Sequence, residues 1–201
     1  MKYKTKIKKI LLSLFGNCIL GCGLAFGTNA QLGLDPCVSF SQSISNKTGY
    51  TIGTIITLVN IVLVIVVLLL ERKNIGLTTL FVVFLNQYPV DLFCMLIHHS
   101  NSLIINILFT IISSLLVAIG CNLMIDADLG LGIYDAFIFS LAHKFNSEYV
   151  YIRYGVDALF LLLTFIFKGY IGIGTIVAYL LTGNLIKYTK PLIDKVLKNV
   201  I

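Results

Sequence analysis

Leu129–Asp157 reads LGLGIYDAFIFSLAHKFNSEYVYIRYGVD, and this stretch decides how the chain folds. It joins a glycine-rich start to an apolar segment too short to cross a bilayer. It then places Arg153 and Asp157 inside the next apolar helix. An earlier stretch, Leu32–Asn60, reads LGLDPCVSFSQSISNKTGYTIGTIITLVN and opens on the same Leu-Gly-Leu. The two stay in step at an offset of 97 residues. The chain holds one unit twice.

The surroundings of both copies are apolar. Of 201 residues, 58% are hydrophobic and 12% are charged, against roughly 25% charged in soluble proteins. The apolar residues gather in runs near the ~20 that a membrane-spanning helix needs. The net charge of +6 comes from Lys and Arg at the ends of those runs. That arrangement sets membrane orientation and is no nucleic-acid footprint. Five cysteines without a CxxC pair read as small buried residues.

Working outward, Ile10 to about Asn29 is the first span, preceded by Lys2, Lys4, Lys6, Lys8 and Lys9. It is longer than the roughly 7–15 residues of a signal-peptide core. Gly23 and Gly27 in it have the small-xxx-small spacing that allows close helix contact. Asp35-Pro36 starts a short helix, with Asp as cap and Pro in the first turn. It runs to about Asn46, only ~18 Å at ~1.5 Å per residue. Thr51–Leu70, Gly76–Ile97, Leu103–Ile125, Tyr151–Phe167 and Gly172–Tyr188 are the remaining spans, with a second short segment at about 131–144. The third is interrupted at Asn86-Gln87-Tyr88-Pro89 and the last at the matching Thr182-Gly183-Asn184.

With the N-terminus in the cytoplasm, the inside segments collect the N-terminal lysines, Arg72, Lys73, Lys144, Arg153, Lys187, Lys190, Lys195 and Lys198. Only Lys47 and Lys168 fall outside. This bias predicts six spans with both ends cytoplasmic. The expected fold is therefore all-α, a single membrane domain over residues 1–201. Repeat 1 covers about 10–97 and repeat 2 about 103–193. Three spans per repeat make the second copy enter upside down, the inverted symmetry of many secondary transporters.

Intramembrane ionisable residues are costly and mark a polar interior or a pathway. Arg153 and Asp157 share a helix face, and Asn60 is the repeat equivalent of Asp157. The bland readings are that Arg153 snorkels to the boundary while neutralising Asp157, and that Asn60 hydrogen-bonds between helices. Asp91, Tyr134 and Asp135 complete the candidate pathway. If the short segments re-enter the bilayer, their N-terminal ends near Pro36 and Ile133 would suit an anion or carboxylate. If they lie on it, they are interfacial amphipathic helices. His98-His99 reads as an exposed loop pair, with no further metal ligands nearby. No nucleophile–base pair, phosphate loop or zinc motif occurs, so an enzyme is not expected, nor any cofactor or metal.

At Leu32-Gly33-Leu34 with Pro36, Thr48-Gly49, Gly53-Thr54, Asp91, Tyr134-Asp135, Arg153 with Asp157, and Gly172-Ile173-Gly174-Thr175, the chain resembles the YczE/YitT family of bacterial integral membrane proteins. It departs where Cys37-Val38 replaces Trp-Asp, where Ile133 replaces Pro, and where Gly76-Leu77-Thr78-Thr79 replaces Gly-Ile-Gly-Thr. The resemblance implies a polytopic protein of the cytoplasmic membrane. The expected function is small-solute or ion transport, with the bilayer as partner. The alternatives are an accessory protein docked on another membrane protein or a second copy, and the substrate-binding subunit of a multi-component importer.

Overall fold

The computed structural model describes residues 2–33 and 35–198. Leu34 of the first Leu-Gly-Leu lies outside the described residues, as do the side chains of Lys2, Lys4 and Lys198. Nine α-helices follow one another among the described residues: α1 (Lys2–Ala30), α2 (Pro36–Thr48), α3 (Ile52–Leu70), α4 (Leu77–Leu85), α5 (Gln87–Leu96), α6 (Leu103–Asp126), α7 (Ile133–Phe145), α8 (Tyr149–Ile166) and α9 (Ile173–Lys198).

Four of these, α1, α3, α6 and α8, are long and apolar enough to cross a membrane. A fifth span arises if α4 and α5 count as one helix bent by 43°. The bend falls at Asn86, where the interruption is expected. Pro89 has no N–H for a bond to Leu85, and its ring crowds that carbonyl. The sixth expected span is not among the apolar candidates, because the first five turns of α9 include Asn184, Lys187 and Lys190. Nor is α9 interrupted at Thr182-Gly183-Asn184: it runs unbroken past Pro191 to Lys198. Its C-terminal half is held by Lys190, which pairs with Asp126 and, at 2.9 Å, with Asp194.

The centre of the molecule is the crossing of α1 and α6. A Cβ on Gly23 would stand 2.9 Å from Val117 N and 3.1 Å from Ser113 O; one on Gly120 would stand 2.7 Å from Gly16 O and 2.8 Å from Leu20 N. Backbones this close leave no room for side chains, so the small residues set the helix separation. Gly23 lies at this crossing with Gly16 and Gly120, whereas Gly27 is buried and borders a polar cavity.

The short helices are sunk into the protein between the long ones. α2 packs on α8 and α3, and α7 packs on α3 and α8. Pro36, Val38, Ser39, Ser41 and Ser43 of α2 are buried, as are Ile133, Ala136, Ile138, Ser140 and Ala142 of α7. α2 begins as its sequence dictates: Asp35 accepts from Cys37 N at 3.3 Å and Pro36 fills the first position. It ends at Gly49 with φ +77, and α7 ends at Asn146 with φ +49, both left-handed caps.

Two glycine-rich junctions hold the ends. Gly174 N donates to Leu32 O at 2.6 Å, and Thr78 N donates to Leu129 O at 3.1 Å. Thr79 and Thr175 accept from Gly76 N and Gly172 N, capping the starts of α4 and α9. On the neighbouring loop, Lys9 binds Asp128 at 2.8 Å and holds that carboxyl below its usual range.

One apolar cluster, with Val67, Val83, Ile133 and Phe160, joins α3, α4, α7 and α8. Another, with Leu24, Val38, Ile56 and Val90, joins α1, α2, α3 and α5. Outside, Leu69, Met95, Ile104, Phe165 and Ile173 are exposed. An apolar surface of this kind belongs against lipid.

Candidate functional site

The polar interior is built on α7 and α8. Helical spacing of four places Tyr149, Arg153 and Asp157 along one face of α8, and the first turn of α7 brings Tyr134 and Asp135 against it. Arg153 lies 3.7 Å from Asp157 through Nε and 3.5 Å from Asp135 through Nη1. Its Nη1 also donates to the Tyr149 hydroxyl at 2.7 Å, and that hydroxyl donates to Asp135 at 2.7 Å. Tyr134 donates its hydroxyl to Asp157. The guanidinium also sits 5.7 Å from the Tyr134 ring centroid and 5.9 Å from that of Tyr149. Both ion pairs are enclosed: the side chains are 11% exposed for Arg153, 14% for Asp135 and 4% for Asp157. Arg153 therefore turns inward and does not snorkel. An Arg preceding Asp is the weaker order on an exposed helix, but enclosure and two aromatic faces outweigh that small term.

This network forms one wall of a cavity of about 110 Å³ between residues of both halves of the chain. Leu24, Cys37, Asn60 and Asn86 border it from the first half; Cys121, Tyr134, Asp135, Arg153, Thr182 and Ile186 border it from the second. A water needs only about 10–15 Å³ on the same measure, so several waters or a small solute fit. A second, polar cavity of about 520 Å³ lies beside α2, bordered by Gln31, Ser39, Gln42, Asn46 and Tyr170.

Of the residues singled out in the sequence, Asn60, Tyr134, Asp135 and Arg153 border the first cavity. Asp157 does not: it stands behind Tyr134 and Arg153 and orients both. Asp91 is elsewhere. It accepts from Thr51 Oγ1 at 2.7 Å and Gly53 N at 2.9 Å, tying α5 to the first turn of α3. An acidic residue is well suited to that helix start. Asn60 is 6% exposed and has no hydrogen bond among the described residues, so the inter-helix bond expected of it is not formed. Asn86 is 2% exposed and its Oδ1 is also without a partner.

Two further cavity groups are not legible as such in the sequence: Asp35 reads there as a helix cap and Asn86 as part of an interruption. Tyr149, which bonds Arg153 and Asp135 without bordering the cavity, is signalled only by its spacing of four from Arg153. The starts of both short helices carry carboxylates of the chain itself: Asp35 accepts from Cys37 N at the start of α2, and Asp135 stands in the first turn of α7, where negative charge suits the positive helix end.

A family model described as a family of unknown function, DUF6198, matches residues 7–191. The chain is 27% identical over 183 residues to an uncharacterised protein YyaS of Bacillus subtilis, covering 90% of this chain and 91% of that one. It is 24% identical over 173 residues to the uncharacterised membrane protein YczE of the same organism, covering 84% and 80%. An uncharacterised protein of Haemophilus influenzae is 24% identical over 186 residues, covering 92% and 85%. No solved structure matches the chain. These relatives agree with the YczE-type resemblance, and with the apolar helices they make this an integral membrane protein.

Proposed function

We propose, from the premise that the chain belongs to the DUF6198 family of unknown function, that it is a carrier of small solutes in the bacterial cytoplasmic membrane and not an enzyme. The observation that carries this reading is the cavity, with a guanidinium, carboxylate and unpartnered amides contributed by helices of both halves.

Its architecture is read as two inverted repeats of three spans, α9 being the sixth span and both termini cytoplasmic. Paired features support this. Gly33 and Gly130 share φ +102, and the Leu32 and Leu129 carbonyls take equivalent bonds from Gly174 and Thr78. The contacts of Gly23 with Ser113 and Val117 are mirrored by those of Gly120 with Gly16 and Leu20. Sites at such a repeat interface, with a helix broken beside them, are where secondary transporters bind substrate.

The test is a thermal-unfolding screen of the purified protein against metabolites and ions, with Asp157→Asn and Asp91→Asn in parallel. A ligand at 100 times its dissociation constant should add about 2.7 kcal/mol. That gain should fall in Asp157→Asn, where Tyr134 and Arg153 lose their anchor, and persist in Asp91→Asn. Equal gains in all three proteins would place the ligand away from this network. No ligand across a broad panel would favour the accessory-protein reading.

A further inference from the structure

The charges around the cavity do not balance. Arg153 is committed to Asp157 and Asp135. Asp35 borders the same cavity, yet it has no cationic partner within salt-bridge distance among the described residues; its one bond there is from the Cys37 backbone at 3.3 Å. Asn60 borders it too, buried and without a hydrogen bond. Asp35 is half-buried with no cation at salt-bridge distance, and Asn60 is buried with no hydrogen bond, so a positive donor in the cavity would gain both a charge partner and an amide acceptor. The rest of the wall is mainly apolar, with Leu24, Val59, Val82, Val117 and Ile186. Among the described residues no three His, Cys, Asp or Glu side chains converge as metal ligands.

We propose that the cavity binds a small organic cation, an ammonium group on a short aliphatic body, with the ammonium at Asp35 and Asn60 and the body against the apolar wall. This deepens the carrier reading and rests on it. The ammonium supplies donors to the Asp35 carboxylate and the Asn60 carbonyl, and Arg153, which borders the same cavity, disfavours a second positive end. A carboxylate ligand is disfavoured by Asp35 and by the matched helix starts. Selectivity for the charge of the head group follows.

The experiment uses the full chain in detergent with n-butylammonium chloride, n-butanol, sodium butyrate and sodium chloride as probes. Unfolding midpoints are read against concentration for wild type and Asp35→Asn. Asn caps a helix about as well as Asp, so the variant keeps the start of α2 while losing the charge. The expected result is a saturable rise with n-butylammonium alone, with apparent affinity at least tenfold weaker in Asp35→Asn. A rise of equal size with butyrate or butanol would overturn the charge selectivity, and an equal rise with sodium chloride would overturn the organic cation. An unchanged response in Asp35→Asn would overturn the role of Asp35. A flat response to every probe overturns the cation class, whereas the carrier reading fails separately, on the metabolite panel.

Discussion

Arg153→Met should destabilise the folded protein by about 3–5 kcal/mol, the cost of leaving buried charge without its partner. Arg153 is the cation between Asp135 and Asp157, and all three side chains are largely enclosed. Removing it leaves two carboxylates facing one another through two tyrosines that can each donate a single hydrogen bond. Methionine keeps much of the volume, so a packing defect contributes little. The double variant Arg153→Met with Asp157→Asn should recover part of the loss, because it removes the orphaned charge as well. Denaturant unfolding in detergent–lipid micelles measures both. A loss below about 1 kcal/mol for the single variant would mean the pair behaves as an exposed one and that Arg153 does not organise the interior.

Gly130→Ala and Gly33→Ala should each cost about 2–6 kcal/mol, summing backbone strain with overpacking. Both glycines have φ +102, where side chains are strained whatever the space around them. A Cβ on Gly130 would stand 2.6 Å from Gly76 N and Cα, and one on Gly33 would stand 2.8 Å from Thr175 N. The obstacle at Gly130 is backbone, which cannot rotate away, and at Gly33 the backbone nitrogens of Thr175 and Gly172 stand behind the nearer Thr175 hydroxyl. Gly155→Ala is the comparison, since a Cβ there meets nothing within 4 Å. It should be neutral or stabilising by less than about 1 kcal/mol. Similar losses at Gly33 and Gly130 would support equivalent roles for the two junctions. A neutral Gly130→Ala would show that the junction between Gly76 and Gly130 is not tight.

How far the sequence carries depends on whether a residue acts locally. Asp35-Pro36 predicts the start of α2 because cap and proline act within one turn, and Pro89 predicts the bend because its effect falls on Leu85. The apparent break at Thr182-Gly183-Asn184 is misleading because glycine in a packed helix removes no hydrogen bond, and α9 continues through it. Asp91 and Asp157 are both acidic residues in apolar helices, indistinguishable by pattern alone. Their roles separate only in three dimensions, where Asp91 meets the start of α3 and Asp157 lies behind Tyr134. Asp35 reaches the cavity because α2 folds inward, a choice that its partners on α3 and α8 make and its own sequence does not.

A carrier exposes its binding cavity to each side of the membrane in turn, and the wall of this cavity already holds a reporter. Cys37 borders the cavity, and replacing Cys18, Cys22, Cys94 and Cys121 by Ala leaves it as the sole thiol. The measurement is the rate at which a membrane-impermeant methanethiosulfonate modifies Cys37 in right-side-out and in inverted vesicles. Modification from both sides, slowed in each case by a ligand found in the thermal screen, is the result expected of a carrier. Modification from one side only, or from neither, would contradict it.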